Sequence, residues 1–256
     1  MDPVSVPLLV LAGFAAGLAG SIGGLASLFS YPALLAAGLP PLAANVTNTV
    51  ALFSTTIGAT AGSRTELRGQ GRRLFRLAVL AVLGGSLGAA LLLGTPSSTF
   101  EVVVPWLIAL GSVVLLAREP IRRFASGRAR RQKGGRLGQV LVACAIVLVS
   151  VYAGYFGAAA GVLMLAVLSA TADEPLPVVN AVKNVVTGMA NLTAAVAYTF
   201  LAPVHWAAAA VLATGCLAGS WLGPALVRRL PERPLRIGIA LGGLGLATHL
   251  WLAAAT

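Results

Sequence analysis

Acidic side chains are scarce here: seven Asp and Glu stand against 18 Lys and Arg in 256 residues. No Asp or Glu lies within an apolar stretch away from its ends. An intramembrane enzyme would want carboxylates, histidines or a cysteine–histidine pair inside its spans. The two histidines, His205 and His249, fall near span ends, and interfacial positions account for them. The two cysteines, Cys144 and Cys216, sit far apart in apolar segments. That excludes a metal site of close cysteine spacing, and neither lies in a loop that suits a disulfide. No nucleotide-binding motif and no soluble domain are found, so an ion gradient must drive any uphill step. The sequence thus reads as neither an enzyme nor a holder of a metal or cofactor.

Charge of either sign is also sparse. Only 10% of residues are charged, where a soluble domain has about 25%. Hydrophobic residues make up 58%. Apolar segments run at 6–20, 24–38, 43–63, 74–94, 101–117, 137–154, 160–171, 178–201, 205–227 and 234–253. About 20 residues cross a hydrocarbon core of roughly 30 Å. The runs are apolar all round, which excludes the alternation of a β-barrel. The chain is therefore expected to be an all-α, polytopic transmembrane bundle in a lipid bilayer. Segments 24–38 and 160–171 are short. The glycines of "GSIGGLAS" and "YFGAAAG" precede them and predict broken helices. Whether these short segments span or re-enter is open at this level.

The net charge of +11 does not point to nucleic acid, because its distribution is wrong for that. Seventeen of the 18 cations lie in the loops 64–76, 118–136 and 228–236. The positive-inside rule marks these loops as cytoplasmic and places both termini outside. Each half of the chain then has an odd number of net crossings. The halves are residues 1–117 and 137–256, joined by the basic linker 118–136, and they should face opposite ways.

An internal repeat at about 136 residues agrees. "PPLAANVTNTVAL" (40–52) aligns with "LPVVNAVKNVVTG" (176–188). Pro41 falls on Pro177, Asn48 on Asn184 and Thr55 on Asn191. "GGSLGAAL" (84–91) resembles "AGSWLGPAL" (218–226). Two inverted-topology repeats, each a glycine-broken helix pair plus three spans, are a common transporter architecture, with the substrate site between the halves.

The eighteenth cation is Lys183, inside an apolar run. On a helix at 100° per residue, Asn180, Lys183, Asn184, Thr187 and Asn191 project at about 0°, −60°, +40°, −20° and +20°. They share one polar face. Asn45, Asn48, Thr49 and Thr56 form a similar face in the first half. Single asparagines in spans commonly bond other helices. A polar face that occurs twice points to a lined cavity. Lys183 has two readings: snorkelling to the headgroups, or partnering an anion that comes and goes. The breaks at Gly23, Gly24, Gly157 and Gly161 would begin half-helices whose N–H groups attract anions. Ser21, Ser27, Ser30 and Tyr155 could add hydroxyl donors. Each of these glycines also suits close helix packing.

The stretches "GLAGSIGGLASLFSYPALLAAGLPPLAANVTNTVAL" and "YAGYFGAAAGVLMLAVL…NAVKNVVTGMANLTAAVAY" together resemble the sulfite exporter TauE/SafE family of bacterial membrane transporters. The resemblance covers nearly the whole chain in two halves. It implies transport of small sulfur oxyanions or organosulfonates across the bacterial inner membrane. It also implies a substrate pathway at Lys183, Asn184, Asn180 and Asn191, with Asn48 opposite. The expectation is a secondary transporter of a small anion. A proton is a candidate coupling ion, and an oligomer is compatible with the sequence. A passive anion channel is the alternative, ahead of an intramembrane enzyme.

Overall fold

The computed structural model describes residues 5–117, 120, 136–171, 174–226 and 248. The tenth apolar segment, 234–253, and the basic loop 228–236 lie outside the described residues, bar Thr248, and so does nearly all of the linker 118–136. Nine helices are described: α1 (Ser5–Gly23), α2 (Ser27–Ala36), α3 (Pro41–Gly62), α4 (Gly71–Leu93), α5 (Ser97–Leu116), α6 (Arg136–Tyr155), α7 (Ala160–Thr171), α8 (Leu176–Leu201) and α9 (Trp206–Leu226). No strand occurs among the described residues.

Proline sets several helix starts. Pro40, Pro96 and Pro175 stand as N-caps of α3, α5 and α8, with φ near −57°. A ring-locked φ and a missing N–H suit the first turn. Five helices, α1, α4, α5, α6 and α9, are long and apolar enough to cross a membrane. The other two long helices, α3 and α8, carry the two polar faces. At 1.5 Å per residue, α2 and α7 reach only about 15 and 18 Å, roughly half a hydrocarbon core.

Both breaks are built on backbone that L-residues avoid. Gly24 has φ +74° and Gly157 φ +79°, with Ala159 at +57°. Gly23 is the last residue of α1, and Gly161 lies in the first turn of α7. The two breaks meet: a Cβ on Gly24 would stand 2.3 Å from Gly161 Cα. Only two glycines permit that approach.

Small residues also fix how the long helices pair. Gly13 packs on Leu212, Gly17 on Cys216, and Ser21 meets Gly223, so α1 and α9 run parallel. A second pair across the halves does the same: Gly84 packs on Val147 and Gly88 on Val151, so α4 and α6 run parallel too. Leu83, Leu87 and Leu91 line the far side of α4 and are exposed, as a lipid-facing stripe should be. The main pairings are α1 with α9, α4 with α6, α3 with α9, α4 with α8, and α3 with α8. Exchanging the first helix of one half for the first of the other, and so on, returns the same set.

One ion pair ties the halves at one end. Arg73 on α4 meets Glu174 just before α8, and Gln70 Nε2 donates to the same carboxylate at 3.0 Å. Desolvation acts to raise the Glu174 carboxyl, but the hydrogen bonds from Gln70 and Arg73 and the Arg73 charge outweigh it and hold the group below its usual range.

Candidate functional site

The polar face of α8 meets the end of α1. The last carbonyls of a helix have no intrahelical partner. Here α8 supplies donors: Asn180 and Asn184 donate to Ser21 O at 2.9 and 3.1 Å, and Lys183 Nζ donates to Gly20 O at 3.2 Å as a second partner beside the Gly24 N–H. Lys183 is 1% exposed, so it does not snorkel to a headgroup layer. A cation at a helix C-terminus is favourable, by up to about 2 kcal/mol when partly buried. The first half answers in kind: Asn45 Nδ2 on α3 donates to Tyr155 O, the end of α6, at 2.9 Å. Each half's third helix thus holds the broken end of the other half's first helix.

Beside Lys183 lies a cavity of about 50 Å³. Lys183, Asn184, Thr187, Gly188 and Asn191 form one wall, from α8. Leu52, Thr55, Thr56 and Ala59 form another, from α3. The end of α1 and both breaks close it, through Gly20, Ser21, Gly24, Ala26, Ser27, Gly157 and Gly161. The backbone N–H groups of Ser27 and Gly161, in the first turns of α2 and α7, donate no hydrogen bond among those described. Thr187 Oγ1 is buried and has no partner. An ammonium, two helix N-termini and hydroxyls therefore converge on one small space. That chemistry suits an oxyanion. About 10–15 Å³ holds one water-sized probe, so the volume fits a few such groups.

Of the residues singled out from sequence, Lys183, Asn184, Thr187, Asn191, Thr56, Ser21, Ser27, Gly24, Gly157 and Gly161 line this cavity. Asn180 is bound next to it at Ser21. Asn45 and Asn48 are buried and do not line it; they sit on α3 nearer its start than Leu52, the first α3 residue of the wall. Tyr155 offers its carbonyl to Asn45, while its hydroxyl turns to Thr95 Oγ1 at 3.4 Å. Ser30 bonds its own helix at Ala26 O. Sequence reasoning passed over Gly188 and left Thr55 as a mere repeat match to Asn191. It also passed over Tyr152 and Tyr198. Tyr152 donates to Ala158 O at 2.7 Å and Tyr198 to Gly154 O, pinning the second break.

An aromatic cluster packs on the other side of the breaks. Tyr31 and Phe156 meet edge to face with centroids 5.3 Å apart, and Phe100 lies 6.1 Å from Tyr155 and 6.3 Å from Phe156. Tyr31, Phe100 and Phe156 are buried. The bonds of this cluster to Thr95 and to Pro41 O place it toward the 94–97 end of the molecule. The cavity residues of α3 and α8 lie instead toward the 63–70 end, where Arg73 and Glu174 pair.

Comparison with known proteins agrees with this membrane architecture. The family model described as sulfite exporter TauE/SafE matches residues 9–250. A "Probable membrane transporter protein" of Haemophilus influenzae is 26% identical over 225 residues, covering 86% of this chain and 84% of that protein. No solved structure matches. Matched over nearly its full length, the chain belongs to the sulfite exporter TauE/SafE family.

Proposed function

We propose that this protein is a secondary carrier, acting as an exporter, of a small anion: sulfite, a related sulfur oxyanion or an organosulfonate. The observation that carries the reading is the convergence of Lys183 with the first turns of α2 and α7, where the Ser27 and Gly161 N–H groups donate no described bond, on one cavity.

Lys183 would act as the anion's counter-charge. Its ammonium already faces the carbonyl end of α1, which supplies about half a negative charge. An anion in the cavity adds the rest, in a place where water does not screen it. Ser27 N–H, Gly161 N–H and Thr187 Oγ1 would orient its oxygens. Asn180 and Asn184 would hold the α1 end in place while Lys183 shares its donors. The substrate thereby touches both halves, on α1 and on α8. Rocking of two inverted repeats about this point would expose it alternately, with the aromatic cluster closing the 94–97 end in the conformation described. The protein would sit in the bacterial inner membrane with its basic loops in the cytoplasm and both termini outside. A gradient, a proton's among the candidates, would drive uphill transport.

Replacement of Lys183 by Met in the purified, liposome-reconstituted protein is the test. Sulfite uptake should fall at least tenfold, about 1.4 kcal/mol or more of lost interaction. A folded Lys183→Met protein that transports at the wild-type rate rules out the anion site. Saturable exchange of labelled sulfite separates this carrier from a passive channel using the same lysine.

A further inference from the structure

The two halves end their first helices differently, and the difference is one of charge. In α1 the last carbonyls face the Lys183 ammonium. In α6, among the described residues, they face neutral donors, the amide of Asn45 and the hydroxyl of Tyr198. At the repeat position of Lys183 stands Thr47, whose Oγ1 accepts the His205 N–H at 3.0 Å. The negative end of the α6 dipole is thus met by uncharged groups where its counterpart meets a cation.

Two oxygens at this junction have no partner. Asn45 Oδ1 and Asn48 Oδ1 are both buried and unbonded, on residues 0% and 1% exposed. Asn45 is anchored to Tyr155 O by the nitrogen of the same amide, so its oxygen lies beside the α6 end. Asn48 follows one helical turn later on the same face. Buried amide oxygens without a donor are rare, and leaving one unmade is unfavourable. The carbonyl of Tyr155 also keeps a second lone pair.

We infer that the junction of α3 with the end of α6 is a binding site for a small monovalent cation, held by Asn45 Oδ1, Asn48 Oδ1 and the Tyr155 carbonyl. Hard cations take amide and carbonyl oxygens. Half-helix C-termini and unwound carbonyls hold sodium in secondary transporters. The ion would stand in the first half where Lys183 stands in the second, one mobile charge and one tethered. Its binding would tie α3 to α6 as Lys183 ties α8 to α1. A cation that leaves would loosen that tie, which makes it a coupling ion. This goes beyond the anion reading, since the residues, the half and the ion all differ.

Thermal unfolding of the purified full chain in sodium chloride and in choline chloride, at equal ionic strength and without any sulfur oxyanion, tests it. Sodium should raise the melting temperature, with a shift that grows with the logarithm of its concentration. Asn48→Ala should move that response to roughly tenfold higher sodium, the scale expected when a metal site loses a supporting group. Thr47→Lys places an ammonium at the repeat equivalent of Lys183, and this variant should be stable without sodium and indifferent to it. Coincident wild-type curves in the two salts, as a trapped water alone would give, overturn the site. So does a wild-type sodium response retained in both variants. Because no oxyanion is present, failure of the anion proposal leaves these outcomes unchanged.

Discussion

Thr187 is the residue on which the anion proposal can be refined, because its role is separable from folding. Its Oγ1 is buried at the cavity wall without a hydrogen-bond partner. Thr55, across the cavity, instead spends its hydroxyl on Leu52 O at 2.6 Å. Thr187→Val keeps the shape and deletes only the donor. Losing one neutral hydrogen bond to an anion is worth about 1.5–3 kcal/mol, so half-saturation for sulfite should rise about tenfold or more. The melting temperature without substrate should stay at or above wild type, since an unmet polar atom has been removed. Thr55→Val should leave half-saturation nearly unchanged. Equal effects of the two variants on half-saturation would falsify the assignment of Thr187. The α8 face was legible at this scale, since one turn of arithmetic groups Asn180, Lys183, Asn184, Thr187 and Asn191. Their partners were not. Gly20 O and Ser21 O are backbone atoms about 160 positions away, and a carbonyl carries no residue signature. For the same reason Tyr155 drew notice for its hydroxyl, while the atom that meets α3 is its carbonyl.

The glycine breaks can be tested as elements. Gly161 lies inside α7 and has no unusual φ, so conformational freedom is not what requires it. A Cβ there would stand 2.4 Å from Gly24 Cα, against backbone that cannot swing aside. Gly161→Ala should therefore push the two breaks apart, at a cost of about 1–3 kcal/mol, the range for overpacking a tight contact. Transport should fall with it, because the cavity and the free N–H of residue 161 move together. Gly71→Ala is the control: nothing lies within 4 Å of that added carbon. It should melt at or above the wild-type temperature and transport normally. If both variants melt and transport alike, contact between the breaks does not organise the site. Helix starts were nearly readable: the apolar segments began at 43, 101 and 178, while α3, α5 and α8 start at Pro41, Ser97 and Leu176, each just after a proline. The end of α1 was less so. The sequence reading stopped the first segment at residue 20, while α1 continues to Gly23. Glycine is a weak stop signal when neighbouring helices pack closely enough to hold it helical.

At the scale of the whole molecule, helix direction and loop charge make one joint prediction. α1, α3 and α9 run the same way: Gly17 meets Cys216, Thr47 meets His205, and Gly58 meets Ser220. α4, α6 and α8 also run the same way, with Gly88 on Val151, Arg73 at Glu174 and Gly85 on Ala190. One face then gathers the 63–70 loop, Glu174 and the start of α6. The opposite face gathers Pro41, Thr95 and His205. Two chains of pairing that share no residue put the basic loop 64–76 and the start of α6, where the basic linker 118–136 ends, on one face, the division that loop charge predicts. Sidedness follows if the positive-inside rule orients the first face to the cytoplasm. In intact cells, with Cys144 and Cys216 replaced by Ala, a cysteine at Ser98 or Pro203 should react with a membrane-impermeant maleimide added outside. A cysteine at Thr65 should react only after the membrane is opened. All three positions are exposed, so burial does not decide the result. Labelling of Thr65→Cys from outside, with Ser98→Cys protected, would invert the orientation and turn the Lys183 cavity toward the exterior. Labelling of Ser98→Cys and Thr65→Cys from the same side would contradict the helix directions themselves, since α4 separates the two loops by a single crossing.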